Sequence, residues 1–95
     1  LKREDIENKL RSEKHYLKEH FYVEKIGLFG SFARDEQTEN SDIDLLVEFS
    51  RPVGFEFLEL KHYLETIFNR HIDLVTPNAI KPYMKDEILS EVQYQ

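Results

Sequence analysis

Two short apolar runs, each led in by aspartate, stand on either side of a segment with helical periodicity. The first is Asp42-Ile43-Asp44-Leu45-Leu46-Val47 and the second is His71-Ile72-Asp73-Leu74-Val75. Between them, Phe57, Leu60, Leu64 and Ile67 recur at steps of three and four, with Leu58 and Phe68 widening the stripe. Strand, helix, strand is a crossover, and crossovers join parallel strands in a right-handed sense. If the two strands are neighbours in register, Asp42, Asp44 and Asp73 come to the same end of the sheet. On a strand, residues i and i+2 share a face, so Asp42 and Asp44 project together with Ile43 turned away.

The rest of the chain fits around that unit. Residues 2–20 read as a surface helix, with Ile6, Leu10, Leu17 and Phe21 near one face. Residues 22–29 read as a first strand that breaks at Gly30. A short helix or helical turn is expected over 31–36, then a polar connection over 37–41 and a strand from Asp42 to about Phe49. Pro52 disfavours continuation of that strand. The inner helix runs from Gly54 to Asn69, and its aromatic and leucine stripe is read as core. Thr76-Pro77-Asn78 ends the last strand. Pro82 then suits the first turn of a final helix whose buried side is Tyr83, Met84, Ile88, Leu89 and Val92. The order is αβαβαβα. The expected fold class is α/β (α+β), a small mixed sheet of about three strands flanked by helices, in one domain over residues 1–95.

Composition narrows the function classes. The net charge of −6 argues against a sequence-independent grip on DNA or RNA, which rests on Lys and Arg neutralising phosphates. Absence of Cys excludes disulfides and thiolate metal sites. No apolar run approaches the ~20 residues that span a bilayer, and the start Leu-Lys-Arg-Glu-Asp lacks a signal-peptide core. A cytoplasmic protein without membrane contact is expected. His15 and His20 are read as surface histidines.

The carboxylates suggest metal chemistry. Two close carboxylates resist joint ionisation, and a divalent cation removes the conflict. Magnesium favours one or two carboxylates together with substrate phosphate oxygens. Upstream, Gly30 lets the backbone approach a ligand closely. Ser31 is a favoured N-cap residue for a helix over Phe32 to Glu36, whose first N–H groups would face an anion. Arg34, one helical turn later, could reach the same oxygens. A bare D-x-D would suit an ordinary exposed strand. Gly-Ser, a loop and D-x-D-L-L-V in that order favour a site. Lys81, Tyr83 and Lys85 are candidate contributors that the sequence does not bring to it.

The stretch G-S-F-A-R … S-D-I-D-L-L-V resembles the signature of the DNA polymerase β-type nucleotidyltransferase superfamily. It is most similar to the minimal nucleotidyltransferases (MNT proteins), several of which are antitoxins paired with HEPN-domain ribonuclease toxins. The resemblance implies catalytic and metal-binding roles for Asp42, Asp44 and Asp73, with Asp73 as the third acid and base. It implies nucleotide phosphate binding by Gly30, Ser31 and Arg34. ATP would be the substrate, with two Mg2+ ions (Mn2+ an accepted substitute). The acceptor would be a hydroxyl, a tyrosine above all, of a HEPN toxin with which the chain would form a hetero-oligomer. Two alternatives stay open: an antitoxin acting by binding alone, and a nucleotidyltransferase acting on a small molecule. The chain departs from the family pattern at Asp35, where relatives often carry Gly or Lys. An acid there would weaken triphosphate binding unless it points away. The additional domains with which larger members hold the acceptor are also missing.

Overall fold

The computed structural model describes residues 1–95. Helix α1 (Arg3–Phe21) leads into strand β1 (Val23–Phe29), the short helix α2 (Gly30–Ala33) and strand β2 (Ile43–Phe49). Helix α3 (Glu56–Phe68), strand β3 (Ile72–Val75), a 3-10 turn over Pro77–Ala79, helix α4 (Pro82–Glu91) and strand β4 (Gln93–Tyr94) complete the chain. The sheet order is β3-β2-β1-β4. Strands β2 and β3 are parallel, as the crossover requires, while β1 runs antiparallel to both β2 and β4. The sheet therefore has four strands where about three were expected. The addition is a two-residue edge strand, Gln93–Tyr94, too short to show a period-two pattern.

Alternation along the strands divides the core between two faces. Ile43, Leu45 and Val47 join Ile26, Leu28, Ile72 and Leu74 against α1 and α3, where Ile6, Leu10, Leu17, Leu60 and Leu64 are fully buried. Leu46 and Phe29 point the other way and pack with Ile80 and Ile88 of the C-terminal segment. Strand β2 is thus covered on both faces, as its apolar second half predicts. Asp44 has the parity of Leu46 and Asp73 that of Val75. Their side chains therefore belong to the face that α4 only partly covers.

Two helical stripes are narrower than the sequence suggests. Leu58 is 61% exposed. At 100° per residue it lies about 200° from Leu60, on the outer side of α3. In α4 only Ile88 is buried, while Tyr83, Met84 and Leu89 are exposed. That helix caps a small cluster and not a full layer, so a single buried residue in nearly three turns suffices to dock it. Helix ends follow local chemistry: Asn69 closes α3 at φ 50°, a left-handed conformation that Asn tolerates.

Candidate active site

Two of the three expected carboxylates, Asp44 and Asp73, converge through strand register, while Asp42 lies just before β2 and does not line their cleft. In the parallel pair Ile43 lies beside Ile72 and Asp44 beside Asp73, and the antiparallel pairing sets Phe29 opposite Asp44. The backbone amide of Ile43 donates to the carbonyl of His71 at 3.1 Å, which locks the two strand starts together. Asp44 is partly buried. Burial, first, and then the charge of Asp73 and the hydrogen bond the two share when one is protonated push its carboxyl up to about 6. Asp42 is more exposed and turns toward His71, with Oδ2 at 3.3 Å from Nδ1. As the side chains stand, no three His, Cys, Asp or Glu residues close into a ready-made metal cluster. The adjacent Asp44 and Asp73 are nonetheless the kind of pair whose mutual repulsion a divalent cation relieves, so the donor set fits such an ion.

Gly30 lies next to this pair. Its φ of 77° is in the left-handed region, and a Cβ built there would stand 2.1 Å from Asp44 Oδ2. The glycine thus serves first to let the chain pass close to Asp44, before any ligand is considered. The expectation for Ser31 is corrected. Helix α2 begins at Gly30 with Phe29 as its extended N-cap residue, and Ser31 lies inside the turn without capping it. The helix is also shorter than expected. It ends because Asp35 adopts φ 57°, and the Glu36 amide then folds back to the Ser31 carbonyl at 2.8 Å. A positive φ at this position is one that glycine would adopt without strain. Asp35 itself points away, pairing with Arg3 of α1 at 3.2 Å.

Arg34 does reach the site. Its Nε donates to Glu36 at 2.8 Å and its Nη1 to Glu91 at 2.6 Å. These two carboxylates, Glu36 foremost, hold the guanidinium further above its ordinary value. A cleft of about 350 Å3 results, lined by Phe29, Gly30, Arg34, Asp44, Asp73, Met84, Glu87, Ile88 and Glu91. A larger groove of about 480 Å3 lies between α1 and α3, beside Phe21, Leu58 and Tyr63. It holds neither the aspartate pair nor an arginine, so the chemistry singles out the smaller cleft. Lys81 lines an apolar recess next to Asp73 with Ile80 and Met84, whereas Tyr83 and Lys85 line neither. Two residues escaped the sequence reading. Glu91 lies at the end of a helix with no motif to mark it. Arg70 donates to the carbonyls of Ser41 at 2.9 Å and Glu39 at 3.2 Å, tying down the loop that delivers Asp42.

Residues 10–95 match the family model described as a nucleotidyltransferase domain. The chain belongs to that family. Among curated relatives, a chain of Methanocaldococcus jannaschii provisionally named a protein adenylyltransferase is 47% identical over 92 residues, covering 95% of this chain and 94% of its own. The protein adenylyltransferase MntA of Thermococcus cleftensis is 41% identical over 92 residues, 96% of this chain and 93% of its own. Among solved structures, one provisionally described as a minimal nucleotidyltransferase superposes with a TM-score of 0.83 at 26% identity, covering 98% and 95% of the two chains. A toxin–antitoxin structure with AMP-PNP gives 0.72 at 22% identity, over 88% and 69%, and shows the likeness of fold. This nucleotidyltransferase is of the minimal type, and its four-stranded sheet with flanking helices is the fold of that group.

Proposed function

We propose that this nucleotidyltransferase, as a single domain, transfers AMP from ATP to a hydroxyl of a partner HEPN ribonuclease toxin, a tyrosine above all, and so acts as its antitoxin. The observation that carries the reading is the Asp44–Asp73 register at the mouth of a cleft that also presents Arg34. The names of the relatives support the target: protein adenylyltransferase for the curated proteins, and toxin–antitoxin for several solved ones.

The acceptor oxygen forms a bond to the α-phosphorus of ATP, the bond from that phosphorus to the bridging oxygen breaks, and pyrophosphate leaves. Asp73, exposed near the start of β3, takes the proton of the attacking hydroxyl. Asp42, Asp44 and Asp73 would hold magnesium, which when bound neutralises phosphate charge and favours the in-line displacement. Gly30 and Ser31 approach the β- and γ-phosphates through the backbone, and Arg34 pairs with their oxygens. Phe29, Met84 and Ile88 give the cleft an apolar wall that lowers the local dielectric and strengthens these contacts. The net charge of −6 suits a basic partner surface, and in this reading the acceptor comes with that partner.

Transfer of labelled AMP tests the reading. The purified chain, its co-expressed toxin partner and α-labelled ATP with magnesium should yield a labelled partner. Silencing of the toxin with no label would favour neutralisation by binding alone.

A further inference from the structure

Glu91 occupies the donors that the nucleotide needs. Its Oε1 accepts from the Gly30 backbone amide at 3.0 Å and from Arg34 Nη1 at 2.6 Å. Both belong to the set assigned above to phosphate. One carboxylate oxygen bridging an amide and a guanidinium makes the same contacts that a phosphate oxygen would. The contact is not a chance surface pairing. The Glu91 side chain is 16% exposed and Arg34 47%. Glu91 ends α4, and the chain continues directly into β4, which pairs with Gly27 and Leu28 of β1. The carboxylate is therefore delivered from the far end of the sequence by sheet pairing. Glu36, the other partner of Arg34, is a local and 62% exposed neighbour that takes only Nε.

We propose that Glu91 is an affinity-setting residue of this cleft: its carboxylate stands in for a phosphate on Gly30 and Arg34, and an incoming triphosphate must displace it. The inference rests on the nucleotide-binding reading of the cleft. It makes phosphate binding a competition, because Arg34 exchanges a protein carboxylate for a substrate oxyanion and does not simply gain a partner. Without the exchange, a triphosphate would enter a cleft lined by Asp44, Asp73, Glu87 and Glu91 with its one arginine already neutralised.

Glu91→Gln keeps the size of the side chain and removes its charge. Calorimetry in magnesium on the full chain should show ATP and inorganic tripolyphosphate both binding more tightly to this variant. The gain should be about tenfold or more, the scale of one charge-assisted hydrogen bond. Equal gains for both ligands would show that the competition is for phosphate and not for the base. In an Arg34→Gln background the same substitution should give a smaller gain, because only the Gly30 amide is then contested, and a merely structural role for Glu91 would not produce that dependence. Equal or weaker binding by Glu91→Gln overturns the proposal while leaving the nucleotide site intact. Absence of binding by parent and variant alike, with circular dichroism confirming both folded, overturns the site and the proposal together.

Discussion

Gly30 and Asp44 are the closest-fitted pair in the cleft, and each makes a separate prediction. Any side chain at Gly30 meets both the positive φ and the Asp44 carboxylate. Gly30→Ala should therefore cost about 1–3 kcal/mol of stability and weaken ATP binding, as read by denaturant titration and calorimetry. Ser31→Ala, which removes no cap, should be nearly silent in stability. For Asp44 the sign follows from its raised pKa. Between the ordinary value of 3.8 and about 6, the folded protein holds a proton that the unfolded chain has lost. Stability from this residue thus falls as pH rises through that window and stays lower above it. Asp44→Asn should stabilise the protein in chelator at pH 7.5 by about 1–2 kcal/mol, after discounting for solvent screening. The difference from the parent should fade below about pH 4. A variant no more stable than the parent at pH 7.5 would mean that the pair carries no electrostatic conflict.

At the scale of elements, the β2–α3–β3 crossover and the paired aspartates were legible because hydrophobic period and aspartate position reported on the same strands. Leu45-Leu46-Val47 is apolar enough to be a strand covered on both faces, and it is one. What escaped had no local period. The β4 strand is two residues long and is held by its partner, through pairs Gly27–Tyr94 and Leu28–Gln93. Glu91 needed that strand to be seen before it could be brought to Arg34. Ser31 misled because its cap propensity was overridden by the left-handed Gly30, which starts the helix two residues earlier than a Ser31 cap would. The same element makes a prediction. A Cβ at Gly27 would meet Val92 Cγ2 at 2.7 Å and the Gln93 carbonyl at 2.9 Å. Gly27→Val should detach β4 from β1, speeding amide hydrogen exchange at Gln95, whose N–H donates to the Ile26 carbonyl at 2.9 Å. Protection at Gln95 equal to the parent's would show that β4 does not depend on the absent side chain.

For the whole molecule, a sheet layered by α1 and α3 on one face leaves the other face to α4 and the turn before it, and the cleft is what they do not fill. The chain supplies the carboxylates, the arginine and an apolar wall, and the account has the acceptor hydroxyl arrive with a partner protein. Asp73→Asn should preserve partner binding, since one exposed oxygen is replaced by an amide, yet lose transfer because the proton acceptor is gone. Intact-mass spectrometry of the co-expressed toxin tests this most directly. The account predicts a toxin heavier by one or more AMP units with the parent chain, and unmodified toxin with Asp44→Asn or Asp73→Asn. A toxin left unmodified yet fully silenced by the parent, or modified equally by the Asp73→Asn variant, would contradict it.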